Sequence, residues 1–152
     1  MSDTIIVTKE GLETLKNELK ELTEVKRPQV ANRIKSAREM GDISENAEYD
    51  AARQEQSFVE GRINELEEIL KKAKPSDTKS NGEIIVGSKV TLRIDGEEEE
   101  YHVVGAPEAN PKLKKISHES PLGSSLLGKK VGDKIVVEAP VGELTYTILH
   151  IK

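Results

Sequence analysis

The chain has 152 residues, a net charge of −5, 34% charged residues and only 3% aromatics. Its four rings, Tyr49, Phe58, Tyr101 and Tyr146, are too few for one compact core of this length, because rings bury the most area per residue. The absence of cysteine excludes disulfides and thiolate zinc sites, the acidic balance argues against duplex binding through overall charge, and no apolar run approaches a membrane span. The start, MSDTIIVTKE, lacks the basic and apolar regions of an export signal, so a soluble, cytoplasmic protein is expected. In chain order, residues 9–74 come first. They are rich in Glu, Lys, Leu, Ala and Arg, interrupted only by Pro28 and by Gly11, Gly41 and Gly61, which is helix-forming material.

Thr8 is a candidate N-cap for the first helix. Apolar residues then recur at spacings of 3 and 4: Leu12, Leu15, Leu19 and Leu22, then Val30, Ile34 and Ala37. A second seam runs through Ala52, Val59, Ile63, Leu66, Leu70 and Ala73. Narrow seams of this kind belong to coiled coils. Pairing Leu12 with Ala73, Leu15 with Leu70, Leu19 with Leu66 and Ile34 with Ala52 gives one common midpoint near residues 42 and 43. A shared midpoint is what an antiparallel hairpin requires. Helices over 9–40 and 45–73 are therefore predicted, each reaching roughly 45 Å at about 1.5 Å per residue. Pro28 removes one backbone donor, and the seam stutters between Leu22 and Val30, so a mild bend is expected there.

The turn, EMGDISENAEYD, carries Glu39, Asp42, Glu45, Glu48 and Asp50 and no base. Residues 25–38 carry Lys26, Arg27, Arg33, Lys35 and Arg38 and no acid. An ordinary solvated coiled coil intersperses its charges as i,i+4 pairs, whereas here an acidic tip stands above a basic collar. Two readings are open for the acids. Asp42-x-x-Glu45 has capping-box spacing, or Ser44 caps the second helix with Glu45 and Glu48 as favourable first-turn charges. Alternatively, carboxylates at i,i+3 share one face and hold an oxygen-seeking cation, Mg²⁺ or Mn²⁺, weakly until another macromolecule completes its ligands. The collar is either a solvated face or a hold on a phosphate backbone.

Residues 75–82, PSDTKSNG, read as a linker. Beyond it, EIIVG, KVTLRI, EYHVVG, KIVVEA and LTYTILHI are strand candidates, and Asp95-Gly96 is a hairpin turn. SPLGSSLLGKKVGD is expected to hold a short helix. His102, His118 and His150 are scattered without metal-ligand spacing and read as structural, and no phosphate-binding glycine loop is present. The fold class is α+β: a coiled-coil hairpin over 1–74, a linker over 75–82, and a small antiparallel sheet domain with a short helix over 83–152, expected to fold alone.

GDISENAEYDAARQEQSFVEGRI and SPLGSSLLGKKVGD resemble the Gre-family transcript cleavage factors of bacterial RNA polymerase, in the expected order over nearly the whole chain. Ser125 stands where that family more usually has a small apolar residue. The resemblance implies a C-terminal domain like the FK506-binding prolyl isomerases in fold, docked at the rim of the polymerase secondary channel through a loop containing Ser120 and Pro121. It implies a coiled coil passing down the channel, where Asp42 and Glu45 help hold a weakly bound second Mg²⁺ and a water. It places Arg38 and Arg53 against RNA or the channel wall. It implies polymerase and the 3′ end of nascent RNA as partners, with RNA and DNA contacts inside the transcribing complex, no membrane, and action as a monomer. The polymerase, not this chain, is then the enzyme. Three rivals remain: a prolyl isomerase, a channel regulator that inhibits, and a plain coiled-coil interaction module. The first needs an aromatic-lined pocket, and residues 75–152 hold only Tyr101 and Tyr146, with no Phe or Trp.

Overall fold

A computed structural model describes residues 4–42, 45–76 and 81–152. The chain divides into two compact units, one of residues 13–71 and one of residues 1–12 with 72–152. The N-terminal residues thus group with the C-terminal ones and not with the hairpin.

In the hairpin unit, α1 (Lys9–Glu21) runs through a π-helical turn (Leu22–Lys26) into α2 (Arg27–Glu39), and α3 (Ala47–Lys72) returns. The arms end at Glu39 and begin again at Ala47, on either side of the shared midpoint. Val30, Ile34, Ala52, Val59 and Ile63 form the buried seam, with Leu19, Leu22 and Tyr49 packed against it. Bidentate pairs brace the flanks: Arg62 donates to both oxygens of Glu18 at 2.7 and 2.9 Å, and Arg27 to both oxygens of Glu60 at 2.8 Å. The first arm is not the uninterrupted α-helix expected. The Arg27 N–H bonds back to the Leu22 carbonyl, five residues earlier. That wide turn absorbs the extra residue of the Leu22-to-Val30 stutter and delivers Pro28 into the first turn of α2, where a missing N–H is tolerated.

The second unit begins with β1 (Ile5–Val7), which pairs in parallel with β2 (Ala73–Pro75). Thr8 caps α1 as predicted, its Oγ1 accepting the Gly11 N–H at 2.9 Å. The same hydroxyl and the Thr8 N–H donate to the Glu108 carboxylate, which also accepts the Gly105 N–H at 2.9 Å. Gly105 is obligatory here, since a Cβ would overlap the Ile6 carbonyl.

A five-stranded sheet follows in the order β5 (Lys115–Ser117), β4 (Glu97–Val104), β3 (Lys89–Ile94), β7 (Gly142–Ile151), β6 (Lys134–Ala139). Asp95 and Gly96 both take positive φ, which gives the β3–β4 hairpin turn predicted from the sequence. The sheet is mixed and not purely antiparallel as expected, because β5 runs parallel to β4. Its return is made by two 3₁₀ turns, Ala106–Glu108 and Pro111–Leu113. EIIVG, expected as a strand, makes only an isolated bridge from Glu83 to Lys130. Ile84 and Val86 enter the core while Gly87, at φ 106, turns the chain into β3. Ile84, Val90, Leu92, Val103, Leu126, Ile135, Tyr146 and Ile148 make that core, with Tyr146 its one buried ring. The short helix α4 (Pro121–Leu126) contributes Leu126 to it.

Candidate functional site

The hairpin tip is built from both arms. Met40 ends α2 with its N–H on the Ala37 carbonyl at 3.2 Å, and Gly41, at φ 133, reverses the chain in a conformation that L side chains avoid. The start of α3 is capped by Asn46, whose Oδ1 accepts the Tyr49 N–H at 3.1 Å. Its Nδ2 reaches back to donate to the Ala37 carbonyl at 2.5 Å, lacing the two arms together. Asn46 is thus the cap that the sequence reading assigned to Asp42 or Ser44. Ser44 lies outside the described residues. Asn is among the best N-cap residues and Asn46 directly precedes the Ala47-Glu48 start of α3, so the signal was present but was masked by the Asp42-x-x-Glu45 spacing.

Asp42 and Glu45 lie beside this cap. Both are exposed, the Glu45 N–H reaches the Asp42 carbonyl at 3.4 Å, and both line an open concavity of about 360 Å³ with Met40, Asn46 and Ala47. Glu48 does not belong to this set. Its carboxylate accepts from Arg33 Nε at 2.7 Å, and that hydrogen bond, with the attraction of the guanidinium, holds it below the usual carboxylate range. Arg33 also bonds Glu55, and the two hydrogen bonds raise its own affinity for the proton.

The collar is therefore divided. Arg27 and Arg33 are joined to acids of α3, which is the ordinary solvated-face arrangement. Among the described residues Lys35 and Arg38 enter no ion pair; Arg38 instead lies over the Tyr49 ring, 5.8 Å from its centroid. Arg53 is exposed and bonds Gln56 at 3.1 Å. Tyr49, unassigned from sequence, both packs on the seam and seats Arg38.

As a cation site the tip is partial. Asp42 and Glu45 are hard oxygen donors suited to Mg²⁺, but among the described residues no group of three His, Cys, Asp or Glu gathers in metal-binding geometry. Two carboxylates leave most of the coordination of such an ion to other ligands.

Ser120 and Pro121 lie in the other unit, at the start of α4. Ser120 Oγ accepts the Gly123 N–H at 3.1 Å and donates to the Ser117 carbonyl at 2.7 Å, so it caps α4 and fixes its approach to β5. Pro121 occupies the first helical position and is exposed.

Residues 5–74 match the family model described as transcription elongation factor, N-terminal, and residues 79–152 match transcription elongation factor, GreA/GreB, C-term. The chain is 46% identical over 153 residues to transcription elongation factor GreA of Thermomicrobium roseum, covering 99% of this chain and 98% of that protein. It is 49% identical over 156 residues to the protein of the same name from Caldanaerobacter subterraneus, covering 100% and 99%. Among solved structures it resembles the transcription factor Gfh1 at 32% identity, a TM-score of 0.50 and 99% coverage of both chains. With both halves matched in order and relatives near half identical over their full length, the chain belongs to the GreA/GreB family of transcription elongation factors.

Proposed function

We propose that this chain enters the secondary channel of bacterial RNA polymerase and stimulates the polymerase's own hydrolysis of the 3′ end of backtracked RNA, as a monomeric catalytic cofactor and not as the enzyme. The observation that carries this reading is the division of labour at the tip. Asn46 caps α3, while Asp42 and Glu45 line one open concavity. Two exposed carboxylates are too few to retain Mg²⁺ alone and enough to complete a site whose other ligands belong to the polymerase. Asp42 and Glu45 would hold a second Mg²⁺, which would supply charge stabilisation to a two-metal hydrolysis in the polymerase. Asp42 and Glu45 also accept hydrogen bonds, so they can orient a water at the same place. Arg38, seated on Tyr49, and Arg53 are positioned to meet RNA phosphates or the channel wall. Ser120 and Pro121 are assigned to docking on the polymerase, Pro121 as the exposed contact and Ser120 as the cap that sets its position.

The test is RNA cleavage by stalled, backtracked polymerase with and without the protein at limiting Mg²⁺. Wild-type protein is expected to accelerate cleavage, and Asp42→Asn and Glu45→Gln to lose about a hundredfold each, equivalent to about 3 kcal/mol of transition-state stabilisation. The double variant should lose less than the product of the two, because both residues serve one ion. Slower cleavage with the wild-type protein would identify an inhibitory channel regulator instead.

A further inference from the structure

One row of the five-stranded sheet gathers positive charge without neutralising it. Lys89 on β3 stands opposite His102 on β4, and His102 opposite Lys115 on β5. Reciprocal backbone bonds of 2.8 and 3.2 Å place Lys152 on the far side of Lys89. Residues at one register position on neighbouring strands share a face at about 4.8 Å spacing. The neighbours Val90 and Val103 are buried in the core, so the basic row lies on the opposite face, where Val104 is covered but Lys89 is exposed and His102 and Lys115 are half-buried. Like charges directly opposite one another destabilise a sheet. Nearby bases are compensated, Arg93 by Glu98 and Lys114 by Glu99. Among the described residues no ion pair reaches Lys89, Lys115 or Lys152.

We propose that the Lys89–His102–Lys115 row is a phosphate-binding site, taking a phosphate group from a nucleic-acid backbone or free in solution. A backbone phosphodiester keeps one charge and two free oxygens, and a free phosphate carries up to two charges, so either can bridge the two ammonium groups that flank the imidazole. The site is separate from the tip chemistry and does not depend on it. His102 is half-buried, and its proton affinity is held down by burial first and then by Lys89 and Lys115. The Gly87 carbonyl and Glu108 act in the opposite sense, and the Glu108 carboxylate is engaged by Thr8 and Gly105. A bound anion offsets the two lysines, so His102 takes up a proton on binding and becomes a third donor. Affinity for a phosphodiester, whose own charge is constant over this range, therefore rises as the pH falls.

Proton NMR of the imidazoles tests this, with His118, outside the strands of this row, as the internal control. Inorganic phosphate alone is the first probe and a short single-stranded RNA the second. On adding phosphate, the His102 titration is expected to move to higher pH while His118 responds far less. The RNA, whose phosphodiesters keep their single charge over this range, should bind about tenfold more tightly at about pH 5.5 than at about pH 8, the coupling of one proton unit. The Lys89→Gln/Lys115→Gln protein should lose both effects, and Lys89→Gln alone, at an exposed position, serves if the double variant does not fold. With RNA, each Lys→Gln should lower the slope of log affinity against log salt by about 0.7. A His102 response to RNA at far lower concentration than to phosphate assigns the site to a nucleic-acid backbone; equal responses per phosphate assign it to the free anion. The proposal is overturned if His102 responds to neither probe, if His118 moves as far as His102, or if the lysine variants bind as wild type.

Discussion

Replacing Asn46 by Ala and, separately, Asp42 by Asn isolates helix capping from charge at the hairpin tip. Asn46→Ala removes the oxygen that accepts the Tyr49 N–H at 3.1 Å, a cap whose loss costs about 1 kcal/mol. It also removes the Nδ2 that donates to the Ala37 carbonyl at 2.5 Å, and losing that part-buried bond costs about another 1 kcal/mol. The hairpin should lose about 2 kcal/mol in all. Asp42→Asn keeps an acceptor oxygen and leaves the cap alone, so its stability should stay within about 0.5 kcal/mol of wild type. Urea unfolding followed by helical circular dichroism reads both, with a midpoint lowered by about 1 M for Asn46→Ala at a slope of about 2 kcal/mol/M. Cleavage assays sort Asp42→Asn the other way, at full stability and about a hundredfold lower rate. An Asn46→Ala protein with the wild-type midpoint, or an Asp42→Asn protein destabilised by more than about 1 kcal/mol, would refute this division.

Two glycines should respond oppositely to alanine. Gly123→Ala drives a Cβ into the Ser117 carbonyl and should cost at least about 2 kcal/mol in thermal unfolding, whereas Gly61→Ala, at an open position inside α3, should gain about 0.5–1 kcal/mol. The carboxyl of Glu18 is held low first by its hydrogen bonds from Arg62, so the unfolded chain binds the proton more readily. Its stabilisation of the hairpin is complete above the ordinary value of 4.5 and is lost as the pH falls through the lower folded value; Arg62→Ala should flatten that acid step in urea titrations. A fragment of residues 83–152 lacks β1 and Thr8, leaving Glu108 without two of its donors, and should melt below the same residues in the full chain when followed by amide exchange of β3 and β4.

The hairpin was legible because its determinants are periodic and local. Leu19, Ile34, Ala52 and Leu66 announce their partners by spacing, and each is at least half-buried in the structure. Asp95-Gly96 was legible for a similar reason, since few residues accept two consecutive positive φ values. The failures have other causes. Three-residue strands such as β1, β2 and β5 carry too little pattern to register, and their pairing depends on partners distant in sequence. EIIVG has strand composition, but Gly87 turns the chain after a single bridge at Glu83. At the tip, the chemistry of Asp42 and Glu45 came from the motif, while the assignment of the cap to Asn46 and the seating of Arg38 on Tyr49 needed coordinates. Nor did the sequence reading find the base row, because Lys89, His102 and Lys115 become neighbours only through strand register.

The pairing of residues 5–7 with 73–75, and of Thr8 with Glu108 across 100 residues, has a consequence for synthesis on the ribosome. At about 5–20 residues per second, Thr8 waits roughly 5–20 s for its partner to emerge. The hairpin, whose contacts are local, folds in far less time than that. Its closure delivers the first strand to the second and shortens the remaining span to roughly 40 flexible residues, which lowers the entropy of the last closure by about 0.8 kcal/mol. The helical arms thus serve as a splint during assembly: until they zip, the N-terminal strand has no neighbour, and once they do, the late-emerging sheet grows onto an edge that is already in place.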